Sequence, residues 1–504
     1  MSAARKNIGR SLTIVGYVAA ILIIMIALSQ LFLYFNSGAD RSKILKVSAD
    51  VQAAHAPLIS WDTSFVKGRQ ISVPALADLE KDYKMAWHSR ALAFEVNDSV
   101  LLNDYFTKNA RAKITEVINY NDSLETSIRS TSLEHHLKLE LYSEDGQLVV
   151  LTDSAAVEHR RTYLKEELVH ETTDKSTYEI MMLLEDGHWR IRHMILKDRE
   201  PLGKVQQTSA DFISNWRGIN YYPQATPWNT FGDDFDIEVI EEDFELIESL
   251  GLNSIRIFIG YEDFGKEYVD PKKLKKVRLL LDAAEKNNLQ VLVTLFDFYG
   301  NYDLRDWTFA QQHAVGIVKS LKDHPAIAAW DLKNEPDLDF ESRKKYRVES
   351  WLKFMAQTVK REDPNHPVTI GWSNIEAARN LSSELDFVSF HYYTDLDELA
   401  ERTKALKTES DGRPILLSEY GRSSHTGWWQ IFTDGPQQQA EYHKEINDIL
   451  KEQNIGSQVW TLYDFPEIPE DVFNGNSYEK NLQKKYGFID ADGNRKQSFS
   501  ELKE

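Results

Sequence analysis

Three patterns of apolar and polar residues follow one another along this chain. The first pattern is an uninterrupted apolar run of 24 residues without a charge, "LTIVGYVAAILIIMIALSQLFLYF", from Leu12 to Phe35. As a helix it would extend about 36 Å, enough to cross a bilayer. The run predicts a transmembrane anchor over residues 12–35, preceded by a short cytoplasmic N-terminus at residues 1–11.

Basic residues flank this run on both sides: Arg5, Lys6 and Arg10 before it, and Arg41, Lys43 and Lys46 after it. The charge rule favours a cytoplasmic N-terminus, which makes the protein a single-pass protein of the cell membrane with its folded part extracytoplasmic. The alternative is a cleaved signal peptide, because Ala27-Leu28-Ser29 has the form of a cleavage site. The apolar run continues past Ser29, which favours an uncleaved anchor.

The second pattern predicts a small α+β domain at residues 76–200, after a stalk at residues 36–75. Apolar residues recur at helical spacing from Leu76 to Asp98, and alternating strands then surround the hairpin signals Asp145-Gly146 and Asp186-Gly187. This order resembles the cone-shaped domains of the nuclear-transport-factor-2-like group. The resemblance implies a spacer, a ligand cavity or a surface for self-association.

The third pattern, from about Gly218 onward, alternates short apolar strands with amphipathic helices. The predicted strands are residues 218–222, 254–259, 290–296, 326–334, 367–372, 387–393, 414–421 and 457–465. Eight such units fit a closed parallel barrel better than an open sheet. We therefore predict an α/β protein whose residues 210–504 form a (β/α)8 TIM barrel.

Composition restricts the function of this chain more than it does the fold. A net charge of −20 disfavours nucleic acid as a partner, because binding phosphates requires clustered Lys and Arg. The absence of cysteine excludes disulfides, thiolate metal ligands and a cysteine nucleophile. No phosphate loop or dinucleotide fingerprint is present, so we expect neither a cofactor nor a metal.

Reactive residues of a TIM barrel lie at the C-terminal ends of its strands. The residues found there are Arg256, Asp297, Asn334, Glu335, His391, Tyr393, Glu419 and Trp460. Glu335 and Glu419 end the fourth and seventh strands, which face each other across the barrel mouth. Two carboxylates about 5 to 5.5 Å apart cleave glycosides with retention of configuration, one as acid and one as nucleophile. Glu335 would need a raised pKa to hold its proton as the acid.

Four segments carry a family resemblance: "WDLKNEPD", "FHYY", "LLSEYG" and "VWTLYDF", in that order. Together they resemble the cellulase-like clan of retaining glycoside hydrolases, especially family 5. The resemblance implies Glu335 as acid/base and Glu419 as nucleophile. Family 5 usually carries a histidine near the end of the third strand, where this chain has Phe296-Asp297, so a neighbouring family of the clan stays open.

The same resemblance implies a set of substrate-binding residues. Asn334 would bind the 2-hydroxyl of the reacting sugar, Arg256 would brace the nucleophile, and Trp460 would form the floor of the sugar site. His391 and Tyr393 would belong to the hydrogen-bonding surroundings of the nucleophile. Further aromatic residues predicted around the mouth as platforms for sugar rings are Trp228, Trp307, Trp428 and Trp429.

Two functions are compatible with this sequence. The first is a membrane-anchored retaining β-glycosidase, a hydrolase of O-glycosyl bonds, that acts on an extracytoplasmic β-linked polysaccharide or oligosaccharide. The second is a catalytically silent glycan-binding or scaffold protein of a polysaccharide export system. Both carboxylates are present, which favours the enzyme.

Overall fold

The computed structural model of this protein describes Met25 and residues 55–425, 435–469, 472 and 477–503. The chain divides into two compact units, Met1–Ala53 and Ala54–Glu504. Of the predicted anchor over residues 12–35, only Met25 is among the described residues. Within the described ranges, no helix combines the length and the apolar character that crossing a membrane requires.

The second unit begins with an α+β part built on one curved sheet. Its strands are β1 (Leu58–Asp62), β2 (Lys67–Gly68), β3 (Thr126–Tyr142), β4 (Leu148–Leu164), β5 (Glu167–Glu185) and β6 (His188–Pro201), and its helices are α1 (Val73–Val96) and α2 (Lys108–Ser123). The sheet order is β1-β3-β4-β5-β6, with β2 paired to β3. Strands β3 to β6 are antiparallel neighbours joined by tight turns.

Local sequence explains where these elements begin and turn. Ser72 caps α1 by accepting a hydrogen bond from the backbone N–H of Ala75, and Asn97 ends the helix in the left-handed conformation. Gly146 and Gly187 have φ values of 71° and 83°, which their hairpin turns require. The two hairpins predicted at these glycines are confirmed.

Part of the predicted stalk belongs to the sheet. Residues Leu58 to Asp62 pair in parallel with β3 as strand β1. Ile59 and Trp61 pack against the core under the sheet, and this burial holds the segment there. Residues 58–62 are thus a strand, in contrast to the stalk expected from their irregular pattern. The resemblance to the nuclear-transport-factor-2-like group stays a prediction.

The rest of the unit is a closed barrel of eight parallel strands, as predicted. The strands are β7 (Arg217–Asn220), β8 (Ser254–Gly260), β9 (Gln290–Asp297), β10 (Ile327–Asn334), β11 (Val368–Trp372), β12 (Val388–Tyr392), β13 (Ile415–Tyr420) and β14 (Gly456–Val459). They close in the order β7 to β14, with β14 pairing back to β7.

Helices follow the strands of this barrel, and the longer ones bury apolar side chains against its outer surface. They are α3 (Ile237–Ser249), α4 (Pro271–Lys286), α5 (Trp307–Leu321), α6 (Phe340–Arg343), α7 (Lys345–Glu362), α8 (Leu399–Glu409), α9 (Gly435–Gln453) and α10 (Ser477–Gln483). The strands are buried on both sides, as parallel strands are. Inward-pointing polar residues near the strand ends are therefore exceptional, and they mark the site.

The α+β part packs directly against helices α5 and α7 of the barrel. Leu133 on β3 and Val157 on β4 belong to the same hydrophobic cluster as the barrel residues. Glu134 accepts a hydrogen bond from Gln311 on α5 and forms an ion pair with Arg361 on α7, at 2.8 Å each. Apolar burial and these polar contacts join the two parts into one compact unit.

Candidate active site

Arg256 is the centre of the polar network inside the barrel mouth. It lies on β8 and is fully buried. Its guanidinium group donates hydrogen bonds of 2.6 to 3.3 Å to five side chains, those of Asn220, Thr294, Asp331, Asn334 and Glu419. Because a guanidinium group is planar and permanently charged, this network fixes Glu419 relative to the strands on either side.

Glu335 directly follows β10 and adopts a conformation that is rare for a glutamate. Its φ of 46° and ψ of 51° lie in the left-handed region, which costs a non-glycine residue on the order of 1–3 kcal/mol. Its backbone N–H donates to the carbonyl oxygen of Gly371 at 2.7 Å, and Pro336 begins the next turn. These constraints direct the side chain toward the mouth, where His391 Nδ1 lies 2.8 Å from its Oε1.

Glu419 lies near the end of β13 and is held by three neighbours. Tyr393 donates its hydroxyl to Oε1 at 2.7 Å, and Arg256 donates to Oε2 at 3.3 Å. His391 Nε2 lies 3.7 Å from the same Oε2. The carboxylate is thereby oriented by groups on β8 and on β12 or its end.

The distance between the two carboxylates determines which chemistry they can perform. Oxygens of Glu335 and Glu419, together with a ring nitrogen of His391, all lie within 4.8 Å of one another. Retaining glycosidases place their carboxyl groups about 5 to 5.5 Å apart, whereas inverting enzymes need about 6.5 to 9.5 Å. The separation matches the shorter of these two distances, which suits direct attack by one carboxylate.

The same three side chains could ligate a metal ion by distance alone. The neighbouring guanidinium group argues against that role, because Arg256 Nη1 lies 3.3 Å from Glu419 and 3.4 Å from His391 Nε2. A fixed positive charge beside two of the three ligands would repel a divalent cation.

The charge state of Glu335 differs from the expectation that its pKa is raised. Burial raises the pKa of this carboxyl group, but the hydrogen bond from His391 and the charges of His391, Arg256 and Lys333 lower it below its usual value. Burial lowers the pKa of His391, and the two glutamates more than reverse that effect. The pKa of Glu335 is thus lowered in this structure, whereas the role of acid asks for a raised one.

Several polar residues of the site escape sequence reasoning because they lie within strands rather than at their ends. Asp331 accepts hydrogen bonds from Arg256, from the Thr294 hydroxyl and from the backbone N–H of Gly371. Lys333 is buried, and its ammonium group lies 3.7 Å from Asp339. Residues 331 and 333 have the same parity in a strand, so they share one face, but parity does not tell which face points inward.

Asp297 occupies the end of β9, where the family usually carries a histidine. It is buried, and burial raises its pKa to about 6, although Lys333 and Arg256 oppose the shift. The hydroxyl of Tyr222 lies 3.4 Å from its Oδ2. Besides Glu335, Glu419 and Asp331, the mouth thus contains a further carboxylate, Asp297, whose ionisation is costly.

Aromatic side chains form one wall of the mouth. Trp228 and Trp460, both predicted substrate platforms, pack with Tyr222, Phe258 and Phe465 in a single cluster. The rings of Trp228 and Phe465 lie 4.5 Å apart, and those of Tyr222 and Trp460 lie 5.9 Å apart. Trp228 and Trp460 are partly exposed, so each offers a ring to a ligand.

Of the other predicted platforms, Trp307 is excluded by the structure. Its side chain is fully buried, it stacks on Phe354 at 5.1 Å, and it meets His159 of the α+β part at 4.5 Å. Its sequence position after a strand end suggested the mouth, but the α+β part covers the start of α5. Trp428 and Trp429 lie outside the described residues.

Comparisons with known proteins agree with this geometry. The family model described as "Cellulase (glycosyl hydrolase family 5)" matches residues 205–465, more than half of the chain. Similar curated proteins are the beta-glucuronidases of Chlorocebus aethiops and Homo sapiens, each 24% identical over 52% of this chain. The chain spans only 41% of the length of these relatives.

Similar solved structures are those of two bacterial glycosidases. An exo-beta-1,4-mannosidase from Opitutaceae bacterium strain TAV5 is 19% identical, with a TM-score of 0.48, and the match covers 56% of this chain and 58% of that one. A beta-D-glucuronidase of Dictyoglomus thermophilum is 16% identical, with a TM-score of 0.43, and the match covers 71% of this chain and 67% of that one. On the family match, the chain belongs to the cellulase family, glycosyl hydrolase family 5.

Proposed function

We propose that this protein is a retaining β-glycosidase that cleaves an extracytoplasmic β-linked polysaccharide or oligosaccharide by double displacement. The observation that carries the proposal is the separation of Glu335 and Glu419, whose oxygens lie within 4.8 Å. Family membership supports the same chemistry. The names of the similar proteins, beta-glucuronidases and a beta-mannosidase, support a β-linked substrate.

In the proposed mechanism Glu419 is the nucleophile. Arg256 and Tyr393 donate hydrogen bonds that orient its carboxylate, so that one oxygen attacks the anomeric carbon. Glu335 delivers a proton to the leaving oxygen, and the bond between that oxygen and the sugar breaks. In the second step Glu335 takes a proton from water, which displaces Glu419 from the glycosyl-enzyme and restores the β-configuration.

In the proposed mechanism His391 shares a proton with Glu335. The imidazole donates to Glu335 from Nδ1 at 2.8 Å, and its pKa is raised by both glutamates. A sugar in the mouth excludes water and raises the pKa of the buried Glu335. The shared proton then moves along this hydrogen bond to the carboxyl group, which becomes the acid.

Asn334 and the aromatic wall would orient the sugar. The amide oxygen of Asn334 accepts a hydrogen bond from Arg256 at 2.9 Å, which turns its amide nitrogen away from the guanidinium group. That nitrogen is a donor suited to the 2-hydroxyl of the reacting ring. Trp460 and Trp228 provide apolar faces for the ring and its neighbour.

Membrane anchoring through residues 12–35 is part of the proposal. It rests on the length and apolar character of that run, and it places the barrel on the extracytoplasmic side. Self-association through the α+β part is proposed on the family resemblance of that part alone.

The decisive experiment compares three substitutions of glutamate in the intact protein. Glu335→Gln and Glu419→Gln should each lower the release of reducing ends from a panel of β-glucans, β-mannans and β-glucuronides by at least about 10²-fold. Glu341→Gln, at an exposed position on the same face, is the matched control and should keep full activity.

Proton NMR of the first product formed tests the retaining mechanism. The newly released sugar should carry the β-anomeric signal before mutarotation. An α-anomer would indicate inversion and contradict the assignment of Glu419. Equal background release by all variants and the unsubstituted protein would instead favour a silent glycan-binding scaffold.

A further inference from the structure

A basic cavity lies between the α+β part and the barrel. It measures about 20 Å³ and is lined by Glu95, Arg129, Ser130, Arg161, Tyr163, Asp303, Leu304, Arg305 and Arg347. Four arginines therefore face two carboxylates, a local excess of positive charge in a chain of net charge −20. We call these four residues the arginine cluster.

Two of the four arginines are already paired with carboxylates. Arg129 forms an ion pair with Glu95 at 3.3 Å, and Arg305 with Asp303 at 3.1 Å. Both side chains are about half exposed, so these pairs are screened by water. The two acids of the cavity are thus used by these two arginines.

The remaining two arginines have unused donors. Arg161 is only 2% exposed, and its Nε donates to Glu171 at 2.6 Å. Its Nη2 is buried without a hydrogen-bond partner among the described residues. Arg347 donates from Nε to the Tyr346 hydroxyl at 3.3 Å, and no carboxylate within the described part of the chain lies at ion-pair distance from it. Burying a guanidinium group that has an unpaired N–H costs free energy unless an acceptor binds that N–H.

The tyrosine next to the cavity responds to this charge. Burial raises the pKa of Tyr346, but the hydrogen bonds with Arg347 and Tyr163 and the charges of Arg347 and Arg161 lower it below its ordinary value. Tyr163, which lines the cavity, shifts the opposite way, because burial and its hydrogen bond with Tyr346 raise its pKa to about 12.

The arginine cluster lies on the face of the barrel that carries the catalytic pair. Arg305 is in the connection after β9, and Arg347 is in α7, after β10, which leads to Glu335. Tyr302, beside Asp303, donates to Asp339 at 2.6 Å, and Lys333 lies 3.7 Å from the same Asp339. These contacts connect the cavity with the end of β10.

We propose that the arginine cluster is an anion-binding subsite that holds a carboxylate of an acidic β-linked glycan while another part of the same glycan enters the catalytic mouth. A cavity of about 20 Å³ is only slightly larger than the space that one water needs, so the oxygens of a carboxylate would enter it and the sugar ring would lie outside. Arginine binds planar carboxylates through two parallel hydrogen bonds, and two guanidinium groups have donors available. This inference rests on the proposed glycosidase function and specifies the substrate as a uronate-bearing glycan.

The α+β part thereby gains a role in recognition. It contributes Arg129 and Arg161 to the subsite, while the barrel contributes Arg305 and Arg347. A competing explanation is that the arginines only attach the α+β part to the barrel. The two explanations differ in what the substitution of Arg347 changes.

The test measures binding by the full chain carrying Glu419→Gln, which prevents turnover. Calorimetry would compare a β-1,4-linked oligomer of mannuronic acid with the neutral mannose oligomer of equal length and with a sulfated form of that oligomer. We expect the carboxylated oligomer to bind about tenfold more tightly than the other two. Adding Arg347→Gln should remove that advantage and leave the neutral oligomer unaffected.

Arg402→Gln on α8 is the matched control, because it removes the same charge from a partly exposed arginine. Equal effects of Arg347→Gln and Arg402→Gln, or tighter binding of the sulfated oligomer, would overturn the subsite. Because Arg347 also contacts Tyr346, thermal unfolding of each variant checks the attachment of the α+β part. A loss of stability with unchanged discrimination would likewise overturn the proposal.

Cleavage and binding measured together distinguish failure of the subsite from failure of the proposed enzyme function. A protein that cleaves neutral β-glycans but shows no effect of Arg347→Gln would lack the subsite and remain a glycosidase. A protein that binds the carboxylated oligomer through Arg347 but cleaves nothing would retain the subsite and lose the enzymatic assignment.

Discussion

Two tyrosines of this protein make nearly the same hydrogen bond in different regions. In the α+β part, Tyr83 donates to Asp153 at 2.7 Å. In the barrel mouth, Tyr393 donates to Glu419 at 2.7 Å. The surroundings of the two bonds differ. The acceptor in the α+β part, Asp153, is fully buried, whereas the donor in the mouth, Tyr393, is 41% exposed and opens onto the mouth.

The cluster around Asp153 is closed. His135 Nδ1 lies 2.6 Å from Oδ2 of Asp153, and the backbone N–H of His136 donates to Oδ1 at 3.2 Å. Its acceptors are used within the domain, so the carboxylate stabilises the fold. In the proposed mechanism the partners of Glu419 orient a group that must still react, so the same bond would contribute to chemistry. Hydrogen-bond geometry alone therefore does not distinguish a structural carboxylate from a catalytic one.

The largest expected effect comes from removing the positive charge of Arg256, which orients the polar side chains of the barrel mouth. Arg256→Met would leave Asp331 and Glu419 buried without their cation. We expect a loss of about 3–5 kcal/mol in the free energy of unfolding and loss of glycosidase activity. Denaturant unfolding of the barrel, followed by tryptophan fluorescence, measures the first effect.

Arg256→Lys is the matched control for charge. A lysine restores one positive charge but not the five-way hydrogen bonding, so it should recover part of the stability and little of the activity. If the Met variant were as stable as the unsubstituted protein, the role of Arg256 as the organiser of the mouth would be refuted.

A smaller change in the free energy of unfolding is expected when Asp297 is substituted, and this change should be a stabilisation. Its pKa in the fold is about 6, above the ordinary value for aspartate, so the folded protein binds this proton more tightly than the unfolded chain. Stability should therefore fall as the pH rises from about 4 to about 6 and level off above that. At pH 7 the ionised group costs up to about 3 kcal/mol.

Asp297→Asn should remove this cost. The variant should be more stable than the unsubstituted protein at pH 7 and equal to it near pH 4, as measured by thermal unfolding across that pH interval. Asp234→Asn, at an exposed position, is the control and should shift neither value. A stabilisation that does not depend on pH would contradict the linkage to ionisation.

The smallest effects should come from the two tyrosines themselves. Tyr83→Phe should lower the free energy of unfolding by about 1.5–3 kcal/mol and leave the turnover of the folded fraction unchanged. Tyr393→Phe should do the reverse, lowering kcat about tenfold with little change in stability. Measuring both quantities on both variants makes each the control of the other, and parallel losses in the two variants would remove the distinction.

Sequence patterns located the barrel and most of the polar residues at the C-terminal ends of its strands. Strands buried on both sides read as short apolar runs, so the eight strands were found and Arg256, Asn334, Glu335, His391, Tyr393 and Glu419 followed from their positions. The structure brings these six residues together. Their roles in catalysis stay predictions that the substitutions above will test.

What the sequence could not supply depended on three-dimensional neighbours. The pKa of Glu335 depends on His391, which lies 56 residues further along the chain. Asp331 and Lys333 were overlooked because a polar residue inside a strand is meaningful only when its inward direction is known. Trp307 was assigned to the mouth because no pattern in the chain shows that the α+β part covers it.

The burial of Trp307 has a practical consequence for dissecting this protein. A barrel produced without residues 55–201 would expose an indole ring, the apolar start of α5 and the charge of Arg361 to water. Such a fragment would tend to aggregate, although the catalytic residues all lie within it. Neither part can therefore be exchanged for an unrelated module without redesigning the surface of the other around Trp307.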